Sequence, residues 1–270
     1  MKNVKRFFKL FLNGLAVFGV DPRVMIRSFL DLPCYMRDYA ILKKSASQSQ
    51  KKGLFPFGRI WPCLGERSAP AGNSHSAYFY QDLHVAQRIF LNNPKRHMDV
   101  GSRIDGFVAH VAAFRKIFVL DIRPLNNDKL PNIDFTQCNL MGEIPKNLIE
   151  STDSLSCLHA LEHFGLGRYG DPIHFEGHLL GLKNLVRILQ PGGKLYVSVP
   201  IGKQRIEFNG QRVFSVRHLF ELFNQDYRVD AFSYVDDLNN YHNNVAIAPM
   251  HVADNFGCNS GLGILELTKL

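Results

Sequence analysis

Between Cys157 and Pro172 the chain reads Cys-Leu-His-Ala-Leu-Glu-His-Phe-Gly-Leu-Gly-Arg-Tyr-Gly-Asp-Pro. His159, Glu162, His163, Arg168, Tyr169 and Asp171 stand close together, punctuated by Gly165, Gly167 and Gly170. Polar residues this dense on a glycine-rich loop mark a site. An imidazole titrates near neutral pH and can take a proton from a hydroxyl acceptor. His163 is the first candidate base and His159 the second, because strand alternation turns His159 toward the sheet. Each histidine equally suits a structural hydrogen bond. Arg168 and Asp171, with Tyr169, can hold sugar hydroxyls or a phosphate, or the two charges can pair and shape the loop. His159, Glu162 and His163 lack a further ligand at metal-site spacing, so no metal centre is expected.

A second group lies upstream. Asp99-Val-Gly101-Ser102 closes a short apolar run, and Asp121 closes the next one, twenty residues after Gly101. A glycine there lets backbone approach a ligand, and an acid at that distance accepts hydrogen bonds from both hydroxyls of a ribose. The competing reading of Asp121 is a surface acid at a strand end. NAD and S-adenosylmethionine both carry such a ribose, but Arg103 occupies the second glycine of the G-x-G-x-x-G fingerprint that a pyrophosphate needs, with Ile104 and Gly106 around the third. S-adenosylmethionine has no pyrophosphate and tolerates this loop better.

The elements that must position these groups follow from hydrophobic pattern. Apolar runs at 97–101, 116–121, 133–138, 154–159 and 194–200 read as strands, with two more at 227–235 and 263–268. Helical periodicity covers 78–92, 107–114, 175–189 and 216–223, and Gln190-Pro-Gly-Gly193 stops the third of these helices. Strand–helix alternation of this kind builds an α/β fold, a parallel sheet covered on both faces. The last two strands have no long helix between them and are expected to pair antiparallel.

The 270 residues suffice for a full core, and 46% hydrophobic with 21% charged residues excludes a disordered or fibrous chain. The five cysteines form no CxxC pair, which excludes a disulfide scaffold and fits a reducing cytoplasm. The net charge of +8 is uneven. The first sixty residues hold twelve Lys and Arg against three Asp, and the remainder is balanced. A nucleic-acid partner is therefore not expected. In residues 1–20, Lys2, Lys5, Arg6 and Lys9 precede an apolar side of Phe7, Leu10, Phe11, Leu15 and Phe18 at helical spacing. Two readings stay open: a peripheral contact with an anionic membrane, or a helix packed on its own domain or a second subunit. Lysine and asparagine interrupt the segment, so it is neither a signal peptide nor a span. Residues 43–53 read as a polar linker, and the Pro/Gly-rich stretch 54–75 as irregular chain. The expected division is a basic extension over 1–75 and an α/β domain over 76–270.

Taken together, Asp99-Val-Gly101, Asp121, Ala160-Leu-Glu-His163 and Leu189-Gln-Pro-Gly-Gly before a Val-rich strand resemble class I S-adenosylmethionine-dependent methyltransferases over residues 95–270. His159–Asp171 resembles more narrowly a methyltransferase-like family of bacterial surface-polysaccharide gene clusters, also found in nematodes. The resemblance implies a Rossmann-like, seven-stranded, mostly parallel sheet whose last strand inserts antiparallel between the fifth and sixth. It implies S-adenosyl-L-methionine as cofactor, with Asp99, Gly101 and Ser102 at the cofactor loop and Asp121 at the ribose. It places Asn139 or Leu140 at the adenine, and His159 with Glu162 and His163 where the methionine end meets the substrate. Arg103 and Asp105 depart from the family's glycine pattern, at its second and third glycines.

The expected function is methyl transfer to a sugar, nucleotide sugar or lipid-linked glycan at the cytoplasmic face of the plasma membrane. The polar run Asn239–Asn244 suits sugar recognition or is a solvated loop. The altered glycine loop motivates a rival, a cofactor-degenerate Rossmann-like protein that binds or scaffolds partners in glycan assembly. An NAD-linked oxidoreductase comes third, since the phosphate glycines are missing.

Overall fold

The computed structural model describes residues 14, 18–51, 53–67, 69, 71–72, 74–126 and 130–270. Most of the amphipathic pattern read over residues 1–20 lies outside these. The chain divides into two compact units, residues 1–73 and 74–270.

In the first unit, α1 (Pro22–Gln48) carries Pro33 in its interior. It runs through Lys43–Gln48, so the start of the expected linker is helical, and the chain beyond is largely irregular. The return segment is tied to α1 by two acids. Asp31 accepts the Gly65 N–H at 2.9 Å, and Asp38 accepts Arg67 Nη1 at 2.5 Å.

The second unit is built on one sheet. It comprises α2 (Ala77–Asn92), β1 (His97–Val100), α3 (Ala109–Ala112), β2 (Ile117–Asp121), β3 (Ile133–Gln137), β4 (Thr152–Leu158), α4 (Gly177–Ile188) and β5 (Leu189–Ile201). Then come the hairpin β6 (Arg205–Glu207) and β7 (Gln211–Val213), α5 (Val216–Phe223), β8 (Tyr227–Val235), β9 (Tyr241–His242), α6 (Pro249–Ala253) and β10 (Gly261–Lys269). The sheet order is β3-β2-β1-β4-β5-β10-β8-β9. Strands β1 to β5 pair parallel, and β10 lies antiparallel between β5 and β8. This is the Rossmann-like arrangement that the resemblance implied. The sheet has eight strands rather than seven because the two-residue β9 pairs with the end of β8. The β6–β7 hairpin has no signature in the hydrophobic pattern.

The central strands are buried on both faces, as parallel strands must be. Side chains alternate between two cores. Val100, Leu120, Cys157 and Val197 join one, whereas Val119, Leu158, Tyr196 and Ile264 join the other with α2 residues Val85 and Ile89. Capping fixes where two helices begin: Ser76 Oγ accepts the Phe79 N–H for α2, and Ser215 Oγ accepts the His218 N–H for α5. In α4, buried Asn184 donates to the carbonyls of Leu140 and Gly142, both at 2.8 Å, and so anchors the loop after β3.

Candidate active site

The chain leaves β1 toward β2 and β3 on one side and returns to β4 and β5 on the other. In an open α/β sheet the crevice at this reversal, outside the carboxyl ends of the strands, is where ligands bind. A cleft of about 480 Å³ lies there. Gly101, Asp121, Asn139, Leu140, His159, His163, Tyr169 and Asp171 all line it, so residues from four loops meet in one place.

Gly101 is required for the close approach. Its φ is +76°, and a Cβ there would lie 2.9 Å from the Ala160 Cβ. Asp99 is fully buried and turned away from the cleft. Its carboxylate accepts the Ser102 N–H at 3.0 Å, the Ser102 hydroxyl at 2.8 Å and the Ser156 hydroxyl at 2.5 Å. Asp99 and Ser102 therefore shape the loop from behind. Burial raises the Asp99 carboxyl to about 6, against the pull of its three hydrogen bonds. The network continues to buried His97, which bridges Ser154 and Ser156 and is held neutral, its pKa lowered by burial to about 3.

Asp121 ends β2 facing the cleft, but its carboxylate is engaged. Arg123 donates its backbone N–H to Oδ1 at 2.8 Å, its Nε to Oδ1 at 3.0 Å and its Nη2 to Oδ2 at 2.5 Å. The same guanidinium donates to the Gly101 carbonyl and lies 4.7 Å from the Tyr169 ring centroid. Arg123 was not singled out from the sequence; its position two residues beyond a strand-end acid was the available signal. Arg103 is exposed and pairs with Asp105 at 2.7 Å. The residues at the two missing glycines thus neutralise each other.

The histidines are sorted by their partners. His159 has φ +49°, unusual for a residue other than glycine, and its N–H reaches the Ser198 carbonyl and hydroxyl, both at 3.1 Å. Its Nδ1 lies 2.8 Å from Oε1 of fully buried Glu162. A carboxylate only accepts, so Nδ1 carries the proton and Nε2 keeps the lone pair. The ring packs on Tyr78 at 4.5 Å. His163 instead donates from Nδ1 to the Gly210 carbonyl at 2.7 Å. Burial lowers its pKa, with the Glu162 carboxylate opposing. Glu162 Oε2 is buried without a hydrogen-bond partner among the described residues.

Arg168 and Asp171 do not pair. Asp171 accepts the N–H groups of Gly165, Gly167 and Tyr169 and so winds the loop, while Arg168 donates to the Gly210 carbonyl at 3.0 Å. His159 also lines a second, polar pocket of about 430 Å³ with Gln211, Asp236, Asp237, Asn239 and Ser260. The run after β8 is folded on Asp236, which accepts from the Leu238 and Asn240 N–H groups and from His242. No group of three His, Cys, Asp or Glu able to hold a metal occurs among the described residues.

Residues 116–248 match the family model described as "Caenorhabditis protein of unknown function, DUF268". The chain matches no curated protein sequence. Among solved structures it is similar to the [4+2]-cyclase SpnF, with 17% identity, TM-score 0.49, and 70% of this chain and 80% of that one covered. It is also similar to the N-methyltransferase NodS from Bradyrhizobium japonicum in complex with S-adenosyl-L-homocysteine, with 11% identity, TM-score 0.49, and 75% and 93% covered. A third is 1,6-didemethyltoxoflavin-N1-methyltransferase from Burkholderia thailandensis, with 14% identity, TM-score 0.47, and 70% and 78% covered.

Proposed function

We propose that this protein is an S-adenosylmethionine-dependent methyltransferase acting on a hydroxyl of a sugar or glycan intermediate. One observation carries the reading: Gly101 and Asp121 flank a single cleft at the reversal of strand order, with His159 at its rim. The lining of the cleft suits an adenosyl group. Asp121 offers the ribose acceptor, Gly101 the close backbone, and Ile122, Leu140 and Met141 an apolar wall for the base. When bound, the cofactor supplies an electrophilic methyl group. The chain's own work is alignment and proton removal. Glu162 fixes the His159 tautomer and leaves Nε2 as the base for an acceptor hydroxyl. His159, backed by the Glu162 carboxylate, ranks above His163, whose Nδ1 faces only a carbonyl and whose burial disfavours the charged form. The polar pocket shared with His159 suits a hydroxyl-rich acceptor, and its amide and hydroxyl groups support the glycan assignment.

The rival reading, a cofactor-free binding or scaffold protein of glycan assembly, is favoured by one observation: Arg123 occupies Asp121. Calorimetric titration with S-adenosylhomocysteine separates the two. Saturable binding, weakened in Asp121→Ala by about 1.5–3 kcal/mol for a hydrogen bond to a charged group, supports the enzyme. No heat at millimolar ligand leaves the scaffold reading.

A further inference from the structure

Among its described residues, the first unit carries an exposed apolar face. Along α1, Met25, Phe29, Leu32 and Met36 follow one another at spacings of four, three and four, so they lie on one side of the helix. Each is exposed, Phe29 by 69%. The opposite side bears Arg27, Asp31 and Asp38, and the return segment is strapped to that polar side through Asp31 and Asp38. The strap is tied to the Asp31–Asp38 side; among the described residues the Met25–Met36 side stays exposed, and Ile26, Leu30 and Ile41 are exposed elsewhere on the helix. The return segment adds its own exposed apolar groups, Phe55 at 88% and Trp61 at 66%. Large apolar side chains exposed in this number mark an interaction site.

Charge identifies the partner. Residues 22–61 hold eight Lys and Arg against two Asp. Asp38 is already paired with Arg37 and Arg67, and Asp31 is spent on a backbone N–H. Arg37 and Lys44 flank the apolar stripe, where their stems can lie along it while the charges reach outward. Two copies of this surface would set like charges against each other. An anionic bilayer instead matches both components and demands no shape complementarity. No helix among the described residues is long and apolar enough to cross a membrane, so the contact is one that lies on the surface.

We propose that α1 together with residues 54–61 forms an interfacial surface for anionic phospholipid, with the Met25–Met36 stripe at the acyl boundary and the basic residues among the headgroups. The proposal is independent of the chemistry at the cleft. It is tested with the full chain in co-sedimentation with vesicles of phosphatidylcholine alone and of phosphatidylcholine mixed with phosphatidylglycerol. Binding is expected only to the mixed vesicles and is expected to weaken with salt. Trp61 is the chain's single tryptophan, so its emission should shift to the blue and resist quenching on the same vesicles. The double variant Phe29→Glu, Met36→Glu should bind at least about tenfold more weakly, with the thermal transition of the α/β unit unchanged. Failure of the wild type to sediment, or equal sedimentation of the variant, overturns the proposal. So does a solution dimer that this variant dissociates in a protein that ignores vesicles, which assigns the face to a second copy.

Discussion

Arg123 grips Asp121 end-on: Nε and Nη2 reach the two carboxylate oxygens at 3.0 and 2.5 Å, and the Arg123 N–H takes a further lone pair. A carboxylate has about four acceptor positions, so ribose hydroxyls must compete with the guanidinium. The Arg123 side chain is 37% exposed and has room to swing outward. Arg123→Ala is therefore expected to bind S-adenosylhomocysteine more tightly, by about tenfold at most, the value of one net hydrogen bond. Calorimetry reads this directly. Weaker binding in the variant would mean that Arg123 holds the ligand instead of competing with it.

The two candidate bases make a second prediction. Both His159 and His163 present Nδ1 to an acceptor, Glu162 and the Gly210 carbonyl respectively. Their neutral forms should both be Nδ1–H tautomers, against the usual preference of free imidazole for Nε2–H. Long-range ¹H–¹⁵N correlation spectra distinguish the two. Glu162→Leu should release His159 to the other tautomer and leave the His163 tautomer unchanged while lowering the His163 pKa further; an Nε2–H tautomer at His159 in the wild type would remove it as the base.

The sheet was legible because strand-length runs, clearest in Ile117–Leu120 of β2 and Leu195–Ile201 of β5, alternate with helical periods, the pattern of a doubly covered parallel sheet. The gathering of Gly101, Asp121 and the 159–171 loop followed from strand order. The direction of each polar side chain did not. Asp99 carries the family-like motif yet faces inward, because Ser156, far off in sequence on β4, supplies a partner for it. The role of Arg123 was missed for the same reason. Only the folded register sets its guanidinium between Asp121, the Gly101 carbonyl and Tyr169. Hairpin β6–β7, three residues a side, is too short to leave a period.

Gly101 supplies a third prediction. Its left-handed φ costs any other residue of order 1–3 kcal/mol, and the Cβ contact with Ala160 adds to that. Gly101→Ala should lower the thermal midpoint and weaken S-adenosylhomocysteine binding. Adding Ala160→Gly removes the contact but not the dihedral, so it should recover part of the stability. Full recovery would show that the contact alone matters, and no recovery that the dihedral does.

The buried network behind the cofactor loop gives the last prediction, in which two neighbouring groups titrate with opposite sign. Asp99 is raised from 3.8 to about 6 by burial. Between those values the folded protein holds a proton that the unfolded chain has released, so this group's stabilisation is lost as pH rises through about 6. His97 is lowered from 6.5 to about 3. Between those values the unfolded chain takes up a proton that the folded protein refuses, so stability is lost as pH falls. From pH 4 to 6 the two contributions oppose each other, each worth up to about 1.4 kcal/mol per pH unit. Asp99→Asn should therefore make unfolding free energy fall more steeply on acidification than in the wild type. His97→Gln should make it fall less steeply or rise. Urea titrations at several pH values across this window measure both slopes, and displacement of the two variants in the same direction from the wild type would contradict the opposed titration of Asp99 and His97.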